Sequence, residues 1–259
     1  MQERLLDDIR AKRPVVHCIT NQVTVNYVIN TLMGLGAMGV STNAPQESAD
    51  ITAKSDALVL NVGTLTDSLA DSMIVAGRRA NEMGIPVVLD PDGAAFSNFR
   101  KDIVNEVLNN VAVTCIRGNA SDIAALLDME LENGAAPDFD DLQILSDRYQ
   151  TAVVMTGSED RIVYRASQAR ILNDIPMMRR ISGNGAALSA VIAAFLSVSD
   201  ITNPFDAIVT AASAYSTAGQ MSEQNYAAVG SASFAAGIID ALSIVSAADL
   251  TKNIKLEIR

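Results

Sequence analysis

The chain has 259 residues, 49% of them hydrophobic, which is enough to bury a large core in one α/β domain or two small ones. Its formal net charge of −11 argues against nucleic acid or an anionic membrane surface as the main partner. Cys18 and Cys115 have no metal-ligand spacing around them, and the charged N-terminal segment is not a signal peptide, so we expect a cytoplasmic protein with no membrane partner.

The first part of the chain alternates between two patterns. The β-branched runs "PVVHCI", "DALVLNV", "IPVVLD", "VAVTCI" and "TAVVMTG" predict strands, and segments with helical spacing lie between them, among them 66–83 and 138–149. This alternation predicts a parallel sheet covered by helices on both faces. Because we find no linker or internal repeat, we predict a single domain over residues 1–259.

The pattern changes near Asp160. The runs "DRIVYRA" and "ARILNDI" follow each other directly and predict an antiparallel pair at one edge of the sheet. Residues 182–245 are then almost wholly helical in pattern, with Pro204 near the start of one helix.

The glycines of "GLGAMG", 34–39, match the spacing of a dinucleotide-binding loop, which needs a strand before it and a helix after it. Here Val25, Val28, Ile29 and Leu32 precede them at helical spacing, and "VSTNAP" follows as a strand end and loop. The order is inverted, so we predict glycines that end a helix and form a turn. No Walker-type P-loop sequence occurs in the chain either.

Candidate functional residues follow the predicted strands, because ligands of open parallel sheets bind beyond the carboxyl ends of the strands. Asp90 and Asp92 come directly after "VVL". Asp90 is placed to hold Mg²⁺ through oxygen or water, although a turn cap before Pro91 would also account for it.

Two more strand ends carry polar residues. Arg117 suits a nucleotide phosphate, whereas Asn119 or Ser121 could simply cap the helix that begins there, next to Asp122. Thr156 follows a third strand, where a turn alone would also explain it. The three strand ends together make a stronger case for a site than any one of them.

The stretch "SGNGAALS" predicts an anion site. Gly183 and Gly185 allow a phosphate to approach closely, and their amides with that of Ala186 can form an anion hole where a helix begins. A purely structural glycine turn is the alternative. We interpret the lone His17 as a hydrogen-bonded structural residue, with a place in the substrate pocket as the second interpretation.

Several segments, in this order, are similar to those of the hydroxyethylthiazole kinase family of thiamine biosynthesis. They are "VHCITNQVTVNYVINTLMGLGA", "NAPQES", "SDALVLNVGTLT", "LDPDGA", "IRGNASDI", "VVMTG", "SGNGAALSAVIAAF" and "ASFAAGIIDAL", spanning about residues 14–242. The resemblance implies a ribokinase-like, three-layer α/β/α fold with a mostly parallel central sheet. It also implies a homotrimer with active sites between subunits, and ATP- and Mg²⁺-dependent phosphorylation of the primary hydroxyl of 4-methyl-5-(2-hydroxyethyl)thiazole.

The resemblance also implies roles for individual residues. Arg117 and Thr156 match the ATP-binding positions, and Asp90 and Asp122 match the acidic positions associated with magnesium, Asp122 standing where the family usually has glutamate. Two further positions match the substrate site, namely Asn21 within "HCITN" and the backbone of Gly183.

The departures from the family pattern lie at this implied site. The usual T-G-T-G-C reads "SGNGA", so Asn184 adds an amide and Ala186 replaces the cysteine, a position that holds a catalytic aspartate in ribokinase relatives. Ser41 stands where a methionine contacts the thiazole. The usual D-P-V-G-A-G reads "DPDGAA", and the usual G-P-G-S reads "GSAS".

These departures leave three functions open. The first is an active hydroxyethylthiazole kinase, slowed because Ala186 offers no side-chain base, so that water, a γ-phosphate oxygen or Asp92 receives the proton. The second is a kinase for another small alcohol, suggested by Ser41 and Asn184. The third is a binding or regulatory protein that has kept the fold and lost turnover. We favour the first, because the nucleotide and metal positions persist.

Overall fold

Nine strands form one mixed sheet in the described part of the chain, residues 2–131, 135–226 and 229–259 of this computed structural model. The strands are β1 (Val15–Ile19), β2 (Met38–Ser41), β3 (Ala57–Asn61), β4 (Val87–Asp90), β5 (Cys115–Asn119), β6 (Ala152–Thr156), β7 (Asp160–Tyr164), β8 (Ser167–Ile171) and β9 (Leu256–Ile258). The helices are α1 (Leu5–Lys12), α2 (Val25–Leu35), α3 (Pro45–Thr52), α4 (Asp67–Met83), α5 (Asn98–Asn110), α6 (Ala120–Leu126), α7 (Phe139–Tyr149), α8 (Asn184–Ser197), α9 (Phe205–Tyr226), α10 (Ser231–Ile244) and α11 (Ala247–Asn253).

The strand order is β2-β1-β3-β4-β5-β6-β7-β8-β9. All pairs from β2 to β6 are parallel, and all pairs from β6 to β9 are antiparallel. The predicted antiparallel pair is confirmed as β7 and β8, with Ile162 opposite Ala169. In the parallel part of the sheet, the carboxyl ends of β3, β4, β5 and β6 lie side by side. Asn61 lies opposite Asp90, and Asn119 lies opposite Thr156.

Helices cover both faces of the sheet, which gives the three-layer α/β architecture. One core joins the sheet to α1, α2, α8, α9 and α10, and the other joins it to α4, α5, α6 and α7. Helix α8 is buried from Ala186 to Leu196, and alanines make up much of that run, so neighbouring helices approach it closely. None of the helices in the described ranges is long and apolar enough to cross a bilayer.

Local sequence signals explain where several helices begin and end. Helix α4 begins after Thr66, whose hydroxyl accepts from the Leu69 amide, and ends at Gly84 in the left-handed conformation. Helix α2 ends at Gly36, whose φ of +103° few other residues adopt, so the prediction that the "GLGAMG" glycines end a helix is confirmed at this position. Gly34 instead lies inside α2, where an added Cβ would come within 2.8 Å of Ile239 on α10.

The predicted elements differ from the observed ones in three respects. Strand β5 begins at Cys115, later than "VAVTCI" suggests, because its pairing with β4 starts only there. The helical prediction over 182–245 corresponds to α8, α9 and α10, and its positions 227 and 228 lie outside the described residues. Only the end of the short strand β2 was predicted, at "VSTNAP", and the short strand β9 was not predicted, because neither shows a long β-branched run.

Candidate active site

A cavity of about 750 Å³ opens at the carboxyl ends of the parallel strands. Ser41 does not line it, because this residue ends β2, the strand at the edge of the sheet, where its side chain is exposed. The other predicted site residues all line the cavity, namely Asn21, Asp90, Arg117, Asp122, Thr156, Gly183, Asn184, Gly185 and Ala186.

Arg117 supplies a buried positive charge from within β5, two residues before the end of the strand, rather than from beyond the strand as predicted. Its Nη2 donates to Thr156 Oγ1 at 2.5 Å, and its Nη1 lies 3.5 Å from Asp90 Oδ2. A Cβ added to Gly185 would collide with Nη1 of Arg117. The glycine therefore lets the guanidinium lie directly against the start of α8, within the same cavity.

Asp90 and Asp122 place two carboxyl groups in the cavity beside the Arg117 guanidinium. Asp90 is 1% exposed, and its Oδ2 accepts from the Ser189 hydroxyl at 2.9 Å, while its Oδ1 has no hydrogen-bond partner among the described residues. Burial raises the pKa of Asp90, and the charge of Arg117 opposes that rise. Burial, together with the charge of Asp90, raises the pKa of Asp122 to about 6.

This arrangement fits a divalent cation. The buried carboxylate oxygen of Asp90 is unpartnered within the described chain, the charge of Asp92 raises the pKa of Asp90, and the charge of Asp90 raises the pKa of Asp122. These features indicate a shortage of positive charge. Among the described residues, no group of three His, Cys, Asp or Glu side chains could hold a metal ion by itself. The donor set therefore suits Mg²⁺, which commonly completes its coordination with phosphate oxygens and water.

Asp122 also has a structural role. Its Oδ1 accepts from the Gly93 amide at 3.0 Å, and its Oδ2 accepts from the Asn119 amide at 3.3 Å. The Asn119 side chain in turn accepts from the Asp122 amide, which completes a capping box at the start of α6. Capping thus explains Asn119 fully, and it holds the Asp122 carboxyl group against the loop that follows β4.

Free amides mark the start of α8. Gly183 adopts φ +84°, and no hydrogen bond within the described chain uses the amides of Gly183, Gly185 or Ala186. The Asn184 amide differs, because it donates to the Ile181 carbonyl at 3.3 Å. An added Cβ on Gly183 would lie 2.6 Å from Thr24 Cβ, so the glycine also permits close packing on that side.

Asn21 and Asp92 form a polar corner of the cavity. Asn21 Oδ1 accepts from the Val23 amide at 2.9 Å and from the Thr64 hydroxyl at 3.3 Å. A Cβ on Gly63 would lie 2.7 Å from Asn21 Nδ2 and would collide with the Asp92 carboxylate, which places these two side chains around one point. Asp92 is the residue that stands where the family usually has valine.

Three residues of the site were not predicted. Ser189 and Tyr215 lie inside the continuous helices α8 and α9, where neither has a local motif. The Tyr215 hydroxyl donates to Asn184 Oδ1 at 2.8 Å. Asp160 accepts from the Gly157 amide at 3.2 Å, burial raises its pKa to about 6, and its position beyond the end of β6 could have indicated it.

His17 has the structural role that the sequence suggested. Its Nδ1 lies 2.9 Å from Thr52 Oγ1 and its Nε2 lies 2.8 Å from Thr42 Oγ1, and burial lowers its pKa to about 4. It does not line the cavity.

Comparison with known proteins gives a consistent result. A model of the hydroxyethylthiazole kinase family matches residues 6–248. The hydroxyethylthiazole kinase of Pasteurella multocida is 35% identical over 248 residues, which cover 93% of each chain, and that of Actinobacillus succinogenes is 37% identical over 233 residues, which cover 86% of this chain and 87% of the relative.

Solved structures agree with these matches. The structure of hydroxyethylthiazole kinase from Pyrococcus horikoshii OT3 superposes with a TM-score of 0.91 at 30% identity, covering 99% of this chain and 98% of that one. A ribokinase-like superfamily protein from Enterococcus faecalis V583 shares the fold, with a TM-score of 0.67 at 12% identity, covering 93% of this chain and 94% of that one.

Proposed function

The chain belongs to the hydroxyethylthiazole kinase family and is a kinase, and on that premise we propose that it transfers the γ-phosphoryl group of ATP to 4-methyl-5-(2-hydroxyethyl)thiazole. The acceptor atom is the primary hydroxyl oxygen. The observation that best supports the proposal is that one cavity is lined by Arg117, by the free amides of Gly183, Gly185 and Ala186, and by the buried carboxyl groups of Asp90 and Asp122.

These donors suit phosphoryl transfer, because its loose transition state needs positioning and charge stabilisation more than covalent help. Arg117, held by Thr156, would bind a nucleotide phosphate as a fixed cation. The three free amides would stabilise the charge on the oxygens of the transferred group, as preorganised backbone donors do elsewhere. In the reaction a bond forms between the acceptor oxygen and phosphorus while the bond from phosphorus to the ADP oxygen breaks.

Mg²⁺ is the cofactor in this proposal. Asp122 and the unpartnered Oδ1 of Asp90 would hold it, directly or through water. A bound magnesium ion neutralises charge on the β- and γ-phosphates. The guanidinium of Arg117 cannot replace the magnesium ion, because its one positive charge is smaller than the combined negative charge of the two carboxylates and the phosphates.

The acceptor hydroxyl must also lose a proton. Ala186 offers no base, and the remaining acceptors are water, a γ-phosphate oxygen or Asp92, which lines the cavity. Since a general base typically contributes about 10²–10⁴-fold, its loss slows turnover without abolishing it.

A homotrimer with shared sites is part of the proposal. Ser41 occupies the position of a thiazole contact, yet it lies on the edge strand β2 and does not line its own cavity. Ser41 of the partner subunit would then complete the site. Sedimentation velocity should show a trimer, and a monomer that retains full activity would contradict this assembly.

The test is ADP release by the purified protein with Mg-ATP, with and without the thiazole alcohol, and with the phosphate ester identified by mass. Ester formed in proportion to ADP supports the proposal. The polar corner formed by Asn21 and Asp92 favours a second candidate, a kinase for a more polar alcohol. A clearly better acceptor in a panel of small primary alcohols would favour that candidate, and tight ligand binding without any ester would indicate a non-catalytic binding protein.

A further inference from the structure

Asn184 contributes to the cavity through its side chain rather than its backbone. Its amide is already used by the Ile181 carbonyl, unlike the amides of Gly183, Gly185 and Ala186. Its side chain lines the cavity beside these free amides.

Helix capping does not account for this side chain. An asparagine that caps a helix accepts from a backbone amide two or three residues later. Asn184 is already inside α8, Gly183 occupies the cap position, and no side-chain cap hydrogen bond is formed. Asn184 Oδ1 instead accepts from the Tyr215 hydroxyl at 2.8 Å.

Tyr215 holds the carboxamide in one orientation. It is 2% exposed, and α8 and α9 pack together in the same core, so its ring has little freedom to move. Burial raises the pKa of Tyr215 well above its ordinary value, so the hydroxyl keeps the proton that it donates. Because Oδ1 is occupied by this hydrogen bond, the carboxamide is left with its two N–H groups, and no partner for Nδ2 occurs among the described residues.

We propose that Asn184 Nδ2 donates to an oxygen of the transferred phosphoryl group and that Tyr215 is the positioning residue for this contact. The inference rests on the proposed kinase function. It adds one side-chain donor to the three backbone amides at the position where the family usually has threonine. No bond of Asn184 or Tyr215 is made or broken, since the pair only stabilises charge on the phosphoryl oxygens.

The proposal can be tested by binding, without turnover. Isothermal titration calorimetry with Mg²⁺ would compare ADP with the non-hydrolysable β,γ-methylene analogue of ATP. The proteins are the wild type, Asn184→Ala, Tyr215→Phe, the double variant and the remote control Tyr149→Phe on α7. We expect Asn184→Ala to weaken analogue binding about tenfold, the scale of one hydrogen bond to a charged group, and to leave ADP binding unchanged.

Tyr215→Phe separates positioning from a purely structural role. We expect it to weaken analogue binding in the wild-type background but not in the Asn184→Ala background, because its hydroxyl acts through Asn184. The same non-additivity should appear in kcat. Equal weakening of ADP and analogue, or effects that add in the double variant, would overturn the proposal. If Asn184→Ala does not fold, Asn184→Leu provides a donor-free side chain of similar size for the same comparison.

The two proposals fail differently. If the wild type makes no thiazole phosphate while the Asn184 and Tyr215 variants lose analogue binding as expected, the proposed acceptor is overturned and the Asn184 contact is supported. A wild type that makes the ester while Asn184→Ala and Asn184→Leu bind the analogue normally would overturn the Asn184 contact alone.

Discussion

Replacing Arg117 by alanine tests the central electrostatic arrangement of the site. The change removes the guanidinium that pairs with the buried Asp90 carboxyl group, which keeps its hydrogen bond from the Ser189 hydroxyl. Breaking a buried ion pair costs about 3–5 kcal/mol. The lower figure applies here, because the two groups are 3.5 Å apart and Asp90 can take up a proton. We therefore expect a loss of about 3 kcal/mol in the free energy of unfolding at pH 7.5.

The expected shift in Tm follows from chain length. Unfolding entropy of about 2 cal/mol/K per residue gives a chain of this size about 0.5 kcal/mol/K, so Tm should fall by about 6 °C. Since Arg117 opposes the rise in the pKa of Asp90, removing it raises that pKa further. The native state then holds the proton more tightly than the unfolded chain, and the destabilisation should shrink as the pH falls through this pKa.

Differential scanning calorimetry and initial rates at varied ATP provide the assay. Asp90→Asn in the Arg117→Ala background removes the uncompensated charge and should recover a large part of the lost stability. The KM for ATP should stay raised by about tenfold or more in both variants, because a hydrogen bond to a charged phosphate has been lost. A double variant as unstable as Arg117→Ala would refute the electrostatic reasoning, and unchanged ATP kinetics would refute the phosphate contact.

Three further predictions concern single positions. Gly183→Ala should lower the free energy of unfolding by about 1–3 kcal/mol in thermal denaturation, because φ is +84° and the new Cβ would lie 2.6 Å from Thr24 Cβ; an unchanged Tm would contradict this. His17→Gln should remove a pH-dependent loss of stability, because the pKa of His17 is about 4 in the folded protein and 6.5 in the unfolded chain. Between pH 7 and pH 5, His17 should therefore lower the free energy of unfolding of the wild type by about 2 kcal/mol. Urea denaturation of the two proteins at both pH values measures this difference. Equal pH dependence of wild type and variant would show that His17 is not buried as described. Ala186→Cys should raise kcat about 10²-fold with the KM for ATP unchanged, and an unchanged kcat would mean that proton removal does not limit turnover.

The parts of the site that follow strands could be predicted from the sequence. Asp90 and Thr156 are the last residues of β4 and β6, and Arg117 is the third residue of β5 between them. The register of neighbouring parallel strands brings these positions together at the carboxyl ends. Ser189 and Tyr215 could not be predicted in this way. A continuous apolar helix pattern shows that their elements are buried, but it does not show that the Ser189 hydroxyl contacts Asp90 or that the Tyr215 hydroxyl contacts Asn184.

The edge of the fold was predicted less well than its centre. Strand β2 is four residues long, contains Gly39 and has no fully buried position, so it lacks the pattern of a central strand. Ser41 was assigned to the substrate site by resemblance to relatives, and the single chain does not bring it to the cavity. The sequence of one chain does not specify which surfaces meet in an assembly.

The strand order has a consequence for synthesis on the ribosome. Strand β3 pairs with β1, and from β4 onward each strand pairs with the one before it in the chain, so the sheet can grow as the chain emerges. Helix α8, however, packs against β1, β3 and β4 and comes only after β8. The apolar area of the nascent sheet that α8 covers therefore remains exposed until α8 has left the exit tunnel, which makes this interval the one in which a holding chaperone matters most. The same docking event brings Ser189 to Asp90, and the cavity is completed only when α9, which carries Tyr215, follows α8 into the core.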